Sequence, residues 1–230
     1  GIPDNGEIWH MLDQRFGIPP TLIEFTTLHS HDLSAYNVII LANGSPTEPL
    51  SPQALPKLKE WVENGGTLIT TGSAYKLTNK AKITDFKTLS QGKKKDKAEG
   101  NAHIEYQPYH NTAKSKSGIE GVIFNCHLDI TSPLGYGYEN PNVAIMKNGT
   151  TVMDFSQIKG SSPMQYTKQP YLSGCVSLEN IKRISNAPAS IVSGCGKGNV
   201  IWFADDLNYR SYWFGGTKIF MNAIYFGQLY

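Results

Sequence analysis

The sequence predicts an α/β fold with a mostly parallel central sheet, and three observations carry that prediction. Residues 37–42 (Asn37-Val38-Ile39-Ile40-Leu41-Ala42) form a continuous apolar run of the kind a strand buried on both faces requires. Residues 52–63 follow with Leu55, Leu58, Trp61 and Val62 at helical spacing. Gly65-Gly66 then stops that helix, and Thr67-Leu68-Ile69-Thr70 supplies a second strand. Strand, helix and strand within about forty residues make a right-handed βαβ unit. Ligands and nucleophiles in such sheets gather at the carboxyl ends of the strands, which here is the turn Gly72-Ser73-Ala74.

The remaining elements follow in chain order. Asp4 and Glu7 have the spacing of a capping box, and Ile8, Met11, Leu12 and Phe16 mark an amphipathic helix ending at Gly17. Residues 21–25 read as a strand after Pro19-Pro20. Ser51 has the chemistry to cap the helix over 52–63, with Pro52 at its first position. Residues 76–118 differ in composition and carry the run Gln91-Gly92-Lys93-Lys94-Lys95-Asp96-Lys97; they read as a flexible, Lys-rich insertion whose charge is a solvated loop rather than an anion-binding patch. Residues 121–130 read as a strand, and 143–147 with 151–155 as a hairpin about Asn148-Gly149. A short helix is expected over 177–184. Residues 189–193 and 199–204 flank Gly194-Cys195-Gly196-Lys197-Gly198, which lacks phosphate-loop spacing and reads as a hairpin turn. A final helix is expected over 217–226.

Composition bounds the function. A net charge of +2 gives no reason to expect nucleic acid, and no apolar run approaches a membrane span. Cys126, Cys175 and Cys195 form neither a metal spacing nor an even disulfide framework, and three thiols are the favoured reading. No histidine is followed three residues later by glutamate, so no zinc-peptidase pair is present, and His29-Ser30-His31-Asp32 reads as a polar loop rather than a metal site. Neither metal nor cofactor is expected. Ser73 lies where a nucleophile would, but Thr71 and Tyr75 occupy the flanking glycine positions of a nucleophile elbow, so it is only a weak catalytic candidate. The densest polar and aromatic cluster is Asp205, Asp206, Asn208, Tyr209, Arg210 and Trp213, at the carboxyl end of the run Val200 to Phe203. It is either a ligand cleft or a clasp in which Arg210 pairs with Asp205 or Asp206.

Several stretches together resemble a known domain. Gly6-Glu7-Ile8-Trp9-His10, Leu12-Asp13-Gln14-Arg15-Phe16, Leu128-Asp129-Ile130-Thr131-Ser132-Pro133-Leu134-Gly135-Tyr136-Gly137-Tyr138, Tyr171-Leu172-Ser173-Gly174 and the tail over 196–227 resemble the class I glutamine amidotransferase-like domain that follows the catalytic domain in bacterial zinc carboxypeptidases of the metallocarboxypeptidase family. The resemblance implies a flavodoxin-like three-layer sandwich forming a single domain over 1–230, in a chain that is a piece of something longer. Ser132 stands where the pattern has histidine, and Gly72-Ser73 where amidotransferases have the elbow cysteine. The implied function is therefore a non-catalytic accessory domain, secreted or periplasmic, whose partner is the upstream zinc carboxypeptidase domain of the same polypeptide. The rivals are a Ser73-dependent hydrolase and a carbohydrate or peptidoglycan-fragment binding module using Tyr209, Tyr212 and Trp213.

Overall fold

The computed structural model describes residues 3–44, 51–89, 118–154 and 160–230. Its centre is a four-stranded sheet in the order β1 (Val38–Leu41), β2 (Thr67–Thr71), β7 (Gly198–Phe203), β6 (Ser190–Cys195). The first three strands are parallel, and β6 joins β7 as an antiparallel hairpin through Gly196. Register places Leu68 beside Val200 and Ile69 beside Ile201. Because neighbours on a strand face opposite ways, Leu68 and Val200 meet Leu58 and Val62 of α2 (Ala54–Glu63), while Ile69 and Ile201 share a core with Ile219, Phe220 and Ala223 of the last helix. Helices thus cover both faces, which is the expected flavodoxin-like α/β sandwich.

A second, antiparallel sheet in the order β4 (Asn142–Lys147), β3 (Val122–Leu128), β5 (Met164–Ser173) packs into the same core through Phe124, Cys126, Ile145 and Tyr166. The remaining helices are α1 (Pro3–Trp9), which runs into a π-helical turn over His10–Arg15; α3 (Tyr75–Lys80); α4 (Leu178–Ile184), capped by the Ser177 side chain; and α5 (Thr217–Phe226). No helix among the described residues is long and apolar enough to cross a membrane.

Five sequence expectations need correction. Residues 21–24 pair with no strand among the described residues, and Phe25–Ser30 is a 3-10 helix. Leu22 is exposed while Ile23 and Phe25 rest against the α2 side of the core, so the apolar run covers the sheet rather than extending it. The hairpin about Asn148-Gly149 does not form. Instead β4 pairs with β3, and Met153 bridges Thr88, with Leu89 N–H donating to Val152 O at 2.9 Å; Phe155 lies outside the described residues. Ser51 is not the cap of α2, whose N-cap position is Gln53. Asp4 lies inside the first turn of α1 and forms no capping box. Finally, residues 76–89 belong to the fold: α3 ends in a network in which Asn79 holds Thr84 and Phe86, and Phe86 packs edge-on against Trp202. The Lys-rich run lies outside the described residues.

Candidate functional site

The carboxyl ends of β1, β2 and β7 meet the start of α1 and the loop after β4 around a cavity of about 130 Å³. Its walls include Asp4, Asn43, Ser73, Asn148, Asp206 and Tyr209. The topology builds it. Parallel strands end on one edge, and α1 closes that edge from outside, with Asn208 Nδ2 donating to Glu7 O at 2.8 Å.

Ser73 sits at the floor with its hydroxyl committed. Its Oγ donates to Asn43 Oδ1 at 2.8 Å, its backbone N–H donates to the same oxygen at 2.8 Å, and Gly44 N–H donates to Oγ at 3.2 Å. Among the described residues no hydrogen bond joins it to a histidine. An amide oxygen is no general base, so this arrangement orients the serine without activating it. The left-handed residue of the turn is Gly72 (φ +50°), not Ser73, and a Cβ there would lie 2.5 Å from Asn43 Oδ1. Asn43 can therefore cross the end of β2 only because residue 72 is glycine. Trp202 Nε1 donates to Gly72 O at 2.9 Å and fixes the turn from the core side. His127 stands exposed on β3, and Ser132 Oγ donates to Asp129 O within its own turn.

Asp205 and Asp206, adjacent in sequence, have opposite surroundings. Asp205 points into the core, where Lys147 Nζ donates to Oδ1 at 2.7 Å and Tyr166 donates its hydroxyl proton to Oδ2. The Lys147 and Asp205 side chains are 0% and 1% exposed, so the pair is fully shut off from water. Burial pushes the Tyr166 phenol and the neighbouring Cys126 thiol well above their usual values, and the charge on Asp205 adds to both. Asp206 faces the cavity, and its carboxylate lies with those of Asp4 and Glu7 so that one oxygen from each falls within 4.8 Å of the others. Burial, and then a hydrogen bond with Glu7, push Asp206 up to about 8. Burial also raises Asp4, against a lowering hydrogen bond from Asn43.

The expected Arg210 clasp does not form. Arg210 is exposed, adopts a left-handed backbone (φ +50°), and lays its guanidinium over the Tyr209 ring at 5.1 Å; Lys147 takes the role expected of it. Asn208 is 2% exposed and braces the loop, its N–H donating to Asp206 Oδ1 at 3.0 Å. Tyr209 lines the cavity, whereas Trp213 packs half-buried beside Gly215. His29, His31 and Asp32 form local contacts instead: His29 Nδ1 with Thr26 O, His31 Nε2 with Thr27 Oγ1, and Asp32 accepting from Ser34 N–H. Sequence reasoning missed Asp4, Glu7, Asn43 and Lys147. Only the capping-box acids carried any local signal.

No protein-family model and no curated protein matches the chain in sequence. Solved structures match in fold. A GMP synthase glutaminase-type protein from Thermoplasma acidophilum superposes with a TM-score of 0.55 at 8% identity, covering 96% of this chain and 86% of that one. PurLQS from Thermotoga maritima gives 0.56 at 14% identity, covering 94% and 90%. A ThuA-like protein from Bacteroides uniformis gives 0.56 at 10% identity, covering 96% and 82%. At these identities the likeness concerns architecture alone, and on that ground the chain has a glutamine amidotransferase-like fold.

Proposed function

We propose that this chain is a non-catalytic, amidotransferase-like accessory domain that works beside the catalytic domain of a secreted or periplasmic bacterial zinc carboxypeptidase. One observation carries the non-catalytic half: the strained turn position after β2 is a glycine, and the serine next to it gives its proton to Asn43. A nucleophile elbow needs a reactive side chain at that turn and a base beside it. The motif segments that resemble the carboxypeptidase-associated domain have structural work here. Asn222 of α5 donates to Leu134 O and Tyr136 O, both at 2.9 Å, and Tyr230 Oη accepts from Leu134 N–H at 3.2 Å. The 128–138 segment and the carboxyl-terminal tail are therefore one packed unit, which gives both a reason to keep their sequence without catalysis.

For the partner, an apolar groove between Phe16, Ile18, Phe214, Met221 and Tyr225 offers a face for a neighbouring domain. Phe214 and Tyr225 are 66% and 55% exposed, more than a solvated helix face needs. The test is twofold. A fluorophosphonate probe should leave the wild-type chain unlabelled; stoichiometric labelling that disappears in Ser73→Ala would make it a hydrolase. Titration with the zinc carboxypeptidase domain of the same polypeptide should show binding that Phe214→Asp abolishes; no binding by the wild type would refute the pairing.

A further inference from the structure

The polar cavity at the carboxyl edge of the parallel sheet has walls of one electrostatic sign. Asp4 and Asp206 line it, Glu7 stands behind Asp206, and no lysine, arginine or histidine is among its lining residues. The nearby cations are committed elsewhere. Lys147 is held by Asp205, Arg15 donates to Ser211 O and lies over Phe214 at 4.2 Å, and exposed Arg210 lies over Tyr209. A second observation points the same way. The amide of Asn208 is wedged between Glu7 and Asp206, its Nδ2 on Glu7 O and its backbone N–H on Asp206 Oδ1. Its Oδ1 has no donor although the residue is 2% exposed, and Glu7 Oε2 is likewise buried without a donor. Such orphaned acceptors are costly, and here they crowd against three carboxylates with no positive charge supplied by the fold.

We propose that this cavity binds a primary ammonium group. The class of cation follows from the room and the donor count. A water occupies roughly 30 Å³ of liquid volume, so a space of about 130 Å³ holds an amine with a few carbon atoms rather than a bare ion. A hard divalent cation seeks six to eight oxygens at close range, whereas only two of the three carboxylates face the cavity. An –NH₃⁺ group needs three acceptors, which Asp206, Asp4 and the Asn148 side chain on the wall provide. The ammonium takes the place of the proton that Asp206 and Glu7 otherwise share, and that proton leaves to solvent. The same chemistry comes from a free alkylamine or from a lysine side chain of a polypeptide. The site does not depend on the carboxypeptidase pairing.

The test is titration of the ¹⁵N-labelled chain with ethylammonium or Nα-acetyl-lysine amide, following the backbone amides of Gly72, Ser73, Gly149 and Asp206. Saturable shifts are expected, with a dissociation constant on the order of 1 mM. Because Asp206 titrates at about 8, binding should be about twentyfold tighter at pH 8.5 than at pH 6.5. Asp206→Asn and, independently, Asp4→Asn should each weaken it at least tenfold while the remaining spectrum stays folded. Preference for the lysine amide assigns a polypeptide ligand; preference for ethylammonium assigns a free amine. Absence of saturable shifts in the wild type at pH 8.5, undiminished binding in both variants, or the same shifts produced more tightly by Mg²⁺ or Ca²⁺ would overturn the proposal.

Discussion

Replacing Lys147 by methionine should be among the most destabilising single changes available in this chain. Methionine fills similar volume and removes only the charge, leaving the Asp205 carboxylate at 1% exposure with Tyr166 as its one remaining partner. Breaking a buried ion pair from one side costs about 3–5 kcal/mol, because the surviving charge has neither water nor counter-ion. For a domain of this size each kcal/mol moves Tm by about 2–4 °C, so a fall of about 6–20 °C is expected. Calorimetry or near-ultraviolet circular dichroism measures it. The double variant Lys147→Met/Asp205→Asn removes both charges and keeps an acceptor for the Tyr166 hydroxyl, so it should recover at least half of the loss. The cycle of single and double variants then reports coupling rather than two independent defects. A Lys147→Met chain melting within about 2 °C of wild type would refute the reasoning, since it would mean that Asp205 finds water or takes up a proton without cost.

Asp206 should give the opposite sign. Its folded value of about 8 lies above the ordinary 3.8, so between those values the native state binds more protons than the unfolded chain; its contribution is complete below the lower value and is lost as pH rises through about 8. Tm should therefore fall from pH 5 to pH 9 in the wild type, and Asp206→Asn should flatten that slope and melt higher than wild type at pH 9; an unchanged slope would remove Asp206 as its source. Arg210→Ala should leave Tm within about 2 °C of wild type, because the guanidinium is exposed and stacked on one ring. Arg210→Gly should match or exceed wild type, since glycine accepts the left-handed backbone without strain; a large loss in either would mean that Arg210 holds the loop after all.

The elements legible in the sequence were those whose signal is local. The apolar runs of β1, β2 and β7, the stripe of α2, the glycine turn between β6 and β7, and the final helix over Thr217–Phe226 each carry their own pattern of spacing and punctuation. What failed was partnership. Asn148-Gly149 does mark a turn, but a turn signal does not say which strand the next segment joins, and residues 151–154 run to 87–89 instead of back to β4. The run at 21–25 shows apolar content but not a vacant sheet edge, and Pro19-Pro20 leads it into a covering loop. Arg210 was paired with the aspartates because it was near them in sequence, yet the cation that neutralises Asp205 lies 58 residues upstream. The acids of α1 reach Asp206 across a separation of about 200 residues, visible in the Asn208–Glu7 hydrogen bond.

The contrast between the two aspartates explains how a folding requirement and a binding capacity coexist at one strand end. As the chain leaves β7 its side chains turn alternately to either side, so consecutive acids must face different environments. The inward one, Asp205, meets the end of β4 and the middle of β5, and the fold supplies a lysine and a phenol that leave neither of its oxygens bare. That clasp ties the antiparallel sheet to the parallel one and fixes where Asn148 and Gly149 stand on the cavity wall. The outward one, Asp206, meets only other acids and amide groups, and it holds a proton because nothing positive in the chain replaces it. A fold that needed Asp206 for stability alone would have neutralised it as it neutralised Asp205. Its position opposite Asp4 and Glu7, in a space with room for a small organic group, is the arrangement of a site that takes its counter-charge from outside.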